Sequence, residues 1–298
     1  MHFHFCTFNC APPSRGTLVD MFLWLQAGLE ELGHEVTYSD EALSPTAINV
    51  LWEGFSPEDG ARLSASGFKY GIIVTEFMDG GGFNMGTPQS DQSDRRDKPY
   101  RRRWAGFREA AAGARFFWSM VDSNLSPLRE RAPSSFLELG FSERLVPVDC
   151  EEPTIDFSFT GILTPHRQRV LEELEQKANV VWHRYLLPVA ERNRVFFSTR
   201  INLSIKKTVD WQMPSPTRVG LALLSRRGIA LDRVPQKTRQ SSLVDSCPEG
   251  MTFVDFALEC LNRDWRAAAE IAFERYRAEL PMKRIVERVL DESLLSEQ

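Results

Sequence analysis

Two stretches carry residues whose types and spacing suit the capture of an anion, and each sits where a strand gives way to a helix. Asp156–Leu174 reads DFSFTGILTPHRQRVLEEL. A strand ends in Thr160-Gly161, a loop carries His166 and Arg167, and a helix begins. Gly161 lets the backbone approach a ligand closely, and a basic loop at a helix start favours negative charge. The plainer alternative is a tight strand-to-helix turn with exposed basic residues. The second stretch is Thr199–Asp232, where Pro214-Ser215-Pro216-Thr217-Arg218 opens a helix with Pro216 near its first position and Ser215 at its cap. Free amides, the hydroxyls of Ser215 and Thr217, and Arg218 together make a diphosphate cradle. Lys206 and Lys207 end the preceding strand and face the same side. Read alone, this is also an ordinary capped helix whose Arg218 is solvated.

A third cluster is basic. Arg95, Arg96, Lys98, Arg101, Arg102 and Arg103 place six positive charges within nine residues, with Tyr100 and Trp104 interleaved. Gly81–Asp94 ahead of them reads as a mobile loop. Aromatic faces between cations suit a base or a sugar, so the cluster is a docking site for an acidic acceptor: a lipid-linked phosphate, an anionic membrane surface or DNA. Two alternatives stay open: a solvated helix start partly neutralised by Asp91, Asp94 and Asp97, and a loop that folds over bound ligand. Other chemistries are disfavoured. The glycines of Asn9–Thr17 do not spell G-x-G-x-x-G, and no G-x-x-x-x-G-K-[ST] occurs. Cys6, Cys10, Cys150, Cys247 and Cys260 form no C-x-x-C pair and match no zinc spacing. His2, His4, His34 and His183 lie on or beside predicted strands and read as structural.

The elements that must position these residues alternate. In the first half, His2–Phe8, Glu35–Ser39, Ile48–Trp52, Tyr70–Thr75, Phe116–Val121 and Phe136–Leu139 read as strands. Leu18–Leu32, a helix starting at Ser56, Arg101–Ala112 and Ser123–Arg131 read as helices. Such alternation predicts a parallel, doubly wound sheet. Pro147–Pro153 (PVDCEEP) brackets acidic residues with prolines and reads as a linker. Beyond it, strands at Phe157–Thr160, Val180–Trp182, Ile201–Ile205, Gly228–Leu231 and Thr252–Val254 alternate with helices at Arg167–Gln176, Pro188–Asn193 and Pro216–Leu224. Two or three helices close the chain from Val254 to Leu295. The expected architecture is α/β: two tandem Rossmann-like domains, 1–150 and 151–298, with a cleft between them and terminal helices that pack back on the first.

Length and composition agree. At roughly 150 residues per domain, 298 residues suggest two domains. Hydrophobic residues at 42% and charged residues at 26% exclude disordered and low-complexity classes. A net charge of −5 argues against coating nucleic acid by bulk charge while leaving a local basic patch open. The first residues lack a signal-peptide pattern and no run of 18 apolar residues occurs. Scattered, odd-numbered cysteines fit a reducing compartment, so the cytoplasm is the expected address.

Three blocks in order resemble the carboxyl-terminal domain of GT-B-fold glycosyltransferases, the group 1 and CgeB-like families. Phe159–Leu174 is similar to their strand, F-x-G, Arg, L-x-x-L opening. Ile201–Leu231 resembles their hydrophobic-N-L, P-S-x-R, helix, glycine and strand block. Asp245–Leu261 with Arg263–Tyr276 resembles their closing segment. The resemblance covers roughly Asp156–Tyr276, with the first half agreeing in element order only. It implies a nucleoside-diphosphate sugar held by Gly161, His166, Arg167, Lys206, Ser215, Thr217 and Arg218, with the acceptor on the first domain. The loop holding Ser14, Arg15 and Gly16 would line the acceptor side, with Arg101, Arg102 and Arg103 docking an acidic acceptor.

One departure stands out: Ser215 and Leu223 occupy the positions of the E-x7-E glutamates of retaining members. An inverting enzyme would need a general base at a strand end of the first domain, its pKa raised by partial burial. Glu53, Glu76 and Asp79 stand there, with Gly80–Gly82 letting the backbone bend. Each carboxylate has an alternative role, capping the next helix or pairing with an arginine. The expected activity is therefore metal-independent, cofactor-free sugar transfer from a nucleotide sugar to an unidentified acceptor. A degenerate non-catalytic module and a DNA-modifying glycosyltransferase are the alternatives. Peripheral membrane contact stays open.

Overall fold

The computed structural model describes residues 1–10, 15–16, 18–79, 81–85, 97–148 and 152–295. Ser14, Gly80, Asp91, Asp94, Arg95, Arg96 and Cys150, singled out above, lie outside the described residues, as do the side chains of Asp97 and Lys98. The chain divides into two compact units. One takes the described residues of Met1–Pro88, Gln92–Glu138 and Met282–Gln298, and the other those of Leu139–Pro281. The chain thus leaves the first unit ahead of the proline-bracketed stretch and returns to it at Met282.

In the first unit the strands are β1 (His2–Cys6), β2 (Glu35–Ser39), β3 (Ile48–Trp52), β4 (Tyr70–Val74), the two-residue pair β5 (Met78–Asp79) and β6 (Gly82–Phe83), β7 (Phe117–Ser119) and β8 (Ser134–Phe136). The helices are α1 (Val19–Glu31), α2 (Pro57–Ser64), α3 (Asp97–Ala111) and the short α4 (Leu125–Arg129). Six strands run parallel in the order β2-β1-β3-β4-β7-β8, and β5 and β6 form a separate antiparallel pair. A parallel sheet is covered on both faces, which is why Tyr70–Val74 is buried at every position. The strand order reverses between β1 and β3, and ligands of such sheets bind beyond the strand ends at that reversal.

Two glycines bring α3 down onto this place. A Cβ on Gly60 of α2 would lie 2.1 Å from the Gly106 carbonyl oxygen, and one on Gly106 would lie 2.4 Å from that of Phe55, just after β3. Both contacts are with backbone, so no side-chain rearrangement relieves them. Phe107 and Ala110 of α3 are buried in the core with Leu51, Phe55 and Ile72.

The second unit holds α5 (Pro165–Glu175), α6 (Val189–Phe197), α7 (Pro216–Leu224), α8 (Phe253–Asn262) and α9 (Trp265–Glu279) around β9 (Ile155–Phe159), β10 (Val180–Trp182), β11 (Thr199–Ser204) and β12 (Gly228–Leu231). Its four strands are parallel in the order β10-β9-β11-β12, repeating the second-first-third-fourth order of the first sheet. Phe157, Leu171, Leu203 and Phe256 lie in its core. Helix α10 (Met282–Glu292) belongs to the first unit. There Arg288 donates to the Phe136 carbonyl at 2.8 Å, and Trp118 Nε1 donates to Ser293 at 2.9 Å.

The sequence-based expectations differ in several places. His166 and Arg167 stand on the first turn of α5, not in a loop ahead of it, because the Thr164 hydroxyl caps the helix two residues earlier than expected. Thr252–Val254 is not a strand: the Thr252 hydroxyl accepts the Asp255 amide at 3.1 Å and caps α8. Ser123–Arg131 is a 3-10 turn followed by α4 rather than one helix. The strand expected at Phe136–Leu139 starts two residues earlier, as Ser134–Phe136 against Phe117–Ser119. No helix among the described residues is long and apolar enough to cross a membrane. Because Gly106 meets backbone, Gly106→Ala should destabilise the protein by about 1–3 kcal/mol in urea unfolding. An unchanged midpoint would show that α3 can move away freely.

Candidate functional site

At the reversal point of the second unit, between β9 and β11, the segments leaving the two strands carry an excess of positive charge. Arg167 is buried on the first turn of α5, where the Thr164 hydroxyl accepts its amide at 3.3 Å. Its guanidinium donates to the Ile205 carbonyl at 3.1 and 3.0 Å and to the Ile162 carbonyl at 2.7 Å, tying the two segments together. Arg218, on the first turn of α7, donates to the Thr160 carbonyl at 3.0 Å, while its Nε is buried without a hydrogen-bond partner. Both guanidiniums lie over the Phe159 ring, 5.1 and 5.0 Å from its centroid.

Their acid–base balance records the crowding. Burial pushes Arg167 down to about 9, with the Arg218 charge adding to the effect and Asp232 opposing it. Burial likewise pushes Arg218 down to about 10, with Arg192 adding to it. Both stay charged at neutral pH, at a cost that a bound anion would relieve. The Asp232 carboxylate is engaged by the Lys206 amide at 3.2 Å and lies 3.7 Å from His166 Nε2. Helix α7 starts at Ser215 with no side-chain cap, and the Ser215 and Thr217 hydroxyls are 3.3 Å apart. Amides in the first turn of a helix have no intrahelical acceptor. A Cβ on Gly161 would come within 2.7 Å of Arg218 Nη2, so glycine keeps this place open.

At the reversal point of the first unit the balance is opposite. Glu53 follows β3 and is 0% exposed. Its Oε1 accepts the Thr75 hydroxyl at 2.8 Å and Arg103 Nη2 at 3.0 Å, and its Oε2 accepts the Thr75 amide at 3.2 Å. Glu76 follows β4, takes Arg103 Nη1 at 3.0 Å on one oxygen and Asn84 Nδ2 at 2.7 Å on the other. Arg103 therefore bridges both carboxylates, stacked 4.5 Å from the Trp52 ring centroid. Asn9, after β1, donates to the Trp52 carbonyl at 2.7 Å and joins the two sides of the reversal. Burial raises Glu53 to about 7, and the Glu76 charge acts in the same sense against Arg103 and Thr75. Burial opposes the Arg103 charge, but the two carboxylates outweigh it and push that pKa up.

The structure thus brings Gly161, Arg167 and Arg218 together, with His166 and Lys206 beside them through Asp232, and Ser215 and Thr217 at the start of α7. It brings Glu53, Glu76 and Arg103 together in the first unit. Arg103 does not stand with the other basic residues of its run: Arg102 pairs with Glu58 at 3.2 Å on the surface and Arg101 is exposed. Arg15 donates to the Cys10 carbonyl at 3.4 Å and lies 3.6 Å from Asp40, next to Gly16, and Asp79 sits half-buried on β5. Sequence reasoning missed Phe159, Asp232, Thr75, Asn84 and Asn9 as parts of these sites. Among the described residues no group of three or more His, Cys, Asp or Glu stands together as a metal site.

No family model matches the sequence, nor does any curated protein. Solved structures do. AviGT4, a glycosyltransferase involved in avilamycin A biosynthesis, is similar over 100% of this chain and 99% of its own, at 13% identity and a TM-score of 0.53. An α-glucosyltransferase solved with UDP and a 13-mer DNA containing an HMU base is similar over 99% of both chains, at 10% identity and 0.57. The phage T4 β-glucosyltransferase with UDP and Mn2+ is similar over 98% of this chain and 99% of its own, at 9% identity and 0.58. The chain has the GT-B glycosyltransferase fold, built of two Rossmann-like units.

The raised Glu53 gives a pH signature. Its folded pKa of about 7 lies above the ordinary 4.5, so the folded state keeps a proton that the unfolded chain releases. Stability should fall as pH rises from about 4.5 to 7, by up to about 1.4 kcal/mol per pH unit, and level off above. Glu53→Gln should abolish that slope in urea unfolding across pH 4.5–8. Parallel wild-type and variant curves would contradict the assignment.

Proposed function

We propose that the protein is a glycosyltransferase that moves a sugar from a nucleoside-diphosphate sugar to a hydroxyl or amine acceptor. The observation that carries this reading is Arg218: a buried Nε without a partner, beside a second buried guanidinium, at an uncapped helix start. That set suits a diphosphate, and the GT-B fold supports placing the donor on the second unit. Gly161, His166, Arg167, Lys206, Ser215, Thr217 and Arg218 would line the donor subsite. As the bond from the sugar's anomeric carbon to the diphosphate breaks, the diphosphate leaves with the electron pair, and these cations and amides meet its growing charge. The acceptor oxygen or nitrogen bonds to the same carbon and gives its proton to a carboxylate of the first unit, drawn from Glu53, Glu76 and Asp79. In this reading the loop with Ser14, Arg15 and Gly16 lies on the acceptor side.

The reading is metal-independent: Arg167, Arg218 and Lys206 would supply the positive charge that meets the diphosphate. Asp232, the carboxylate there, is already engaged by the Lys206 amide. Free thiols at Cys6, Cys10, Cys247 and Cys260 suit a reducing compartment, and a cytoplasmic address is part of the proposal. A DNA acceptor is the second reading. The α-glucosyltransferase neighbour with DNA and the exposed Arg101 favour it, and it requires binding that weakens steeply with salt.

A thermal-shift panel of UDP, GDP, CDP, dTDP and their sugar conjugates tests the donor subsite. A diphosphate at 100 times its dissociation constant should add about 2.7 kcal/mol of stability. Arg218→Ala should remove the effect, and Gly161→Ala, which crowds Arg218, should weaken it at least roughly tenfold. Stabilisation that survives Arg218→Ala, or none with any nucleotide, would overturn the reading.

A further inference from the structure

Arg103 stands in a place that the function of a docking cation does not explain. Its two terminal nitrogens are both spent on carboxylates, 3.0 Å from Glu53 and 3.0 Å from Glu76. Its Nε is buried without a partner, and the rings of Trp52, Tyr100 and Phe83 lie 4.5, 5.6 and 5.7 Å from its head. Planar and charged, this fork is held in one orientation by its two carboxylates and the surrounding rings.

The two carboxylates it joins are not equivalent. Glu53 is fully enclosed, its carboxylate accepting from Thr75 twice and from Arg103 once, whereas the Glu76 side chain keeps 17% of its surface open. Glu76 is also braced by two buried asparagines. Asn84 donates to its carboxylate and takes the Phe77 amide at 3.2 Å, and Asn124 donates to its carbonyl at 2.9 Å and takes the Met78 amide at 2.9 Å. Asn84 does so at a φ of 55°, a left-handed conformation that a structure retains where surroundings over-determine it. Supporting bonds of this kind fix a reactive group to within the tolerance that chemistry needs.

We propose that Arg103 is a positioning residue: it holds Glu76 as the carboxylate that meets the acceptor, with the enclosed carboxyl of Glu53 behind it. This rests on the glycosyl-transfer reading and assigns its acceptor-side base. Glu76 takes the proton of the acceptor O–H or N–H, and Arg103 holds its carboxylate in place. The charged and titratable groups around Glu53 are Arg103, Glu76 and the buried Cys10 thiol, and Tyr100 faces Arg103. Without the guanidinium the two carboxyl groups face each other with no cation between them, which raises the proton affinity of the pair.

The test measures UDP release from UDP-glucose, or whichever conjugate stabilises the wild type, by wild type, Arg103→Ala and Arg103→Lys. Arg103→Ala should lower turnover about 100-fold, leave the UDP dissociation constant within about twofold, and move the acid limb of the pH–rate profile to higher pH. Arg103→Lys keeps the charge but loses the fork, so it should recover part of the rate and restore the acid limb; it also decides the matter if the alanine variant does not fold. Turnover within threefold of wild type and an unmoved acid limb would overturn the proposal. If the wild type releases UDP from no donor, the glycosyl-transfer reading fails by itself. Carboxyl NMR of 13C-glutamate-labelled protein then decides on Arg103: the Glu53 transition should move to higher pH in the variant, and an unmoved one overturns the proposal.

Discussion

The positive charge gathered around Phe159 is the constraint on which the rest of the account depends. Arg167 and Arg218 approach one ring within about 5 Å, and their hydrogen bonds go to carbonyls rather than carboxylates. A folded chain keeps two such cations close only if something else in the architecture holds them. Here the holding groups are the carbonyls of the two segments that leave β9 and β11. The strain of like charges is fixed in place by the backbone, and an anion is what relieves it. Because the charge is held before any ligand arrives, it would meet the diphosphate of the proposed donor without reorganising.

The first unit applies the same topology to the opposite charge. Its sheet reverses at the corresponding point of the strand order, but the residues that follow the strands there are glutamates, and the cation that joins them comes from a helix. Gly60 and Gly106 make that possible by letting α3 settle on α2 and on the turn after β3. The burial of Glu53 costs stability above pH 7, and such a cost is commonest where a chain needs a carboxylate with an unusual proton affinity. One architecture thus presents a cationic and an anionic strand-end site, one in each unit.

Much of this was legible in the residues. Strands rich in Ile, Val and Phe, broken by Gly and Pro, fixed the alternation, and Ser215-Pro216 marked one helix start, whereas the Thr164-Pro165 start of α5 was passed over. Gly161, Arg167 and Arg218 were singled out because a glycine and an arginine beside a helix start have a physical reason to be there. Arg103 was harder. Three consecutive arginines on a helix point in directions about 100° apart, so only one can face the sheet. Its spacing to Phe107 and Ala110, both buried, is the i, i+4, i+7 stripe that identifies the inward one. Charge alone hid that signal. Thr252 was misread for a related reason: Thr-Phe-Val is a good strand triplet, but Asp255 three residues on makes it a helix cap. Asp232 and Asn84 act through contacts distant in sequence or through backbone conformation, which no local pattern discloses.

In the proposed donor subsite a nucleoside diphosphate seats on the Arg167–Arg218 pair. A crystal structure of the protein with UDP tests it most directly. The account predicts diphosphate oxygens within hydrogen-bond distance of Arg218 and of the Thr217 or Arg218 amide, with Gly161 facing them. A diphosphate seated elsewhere in the ordered density, with Arg218 still turned only to the Thr160 carbonyl, would contradict it.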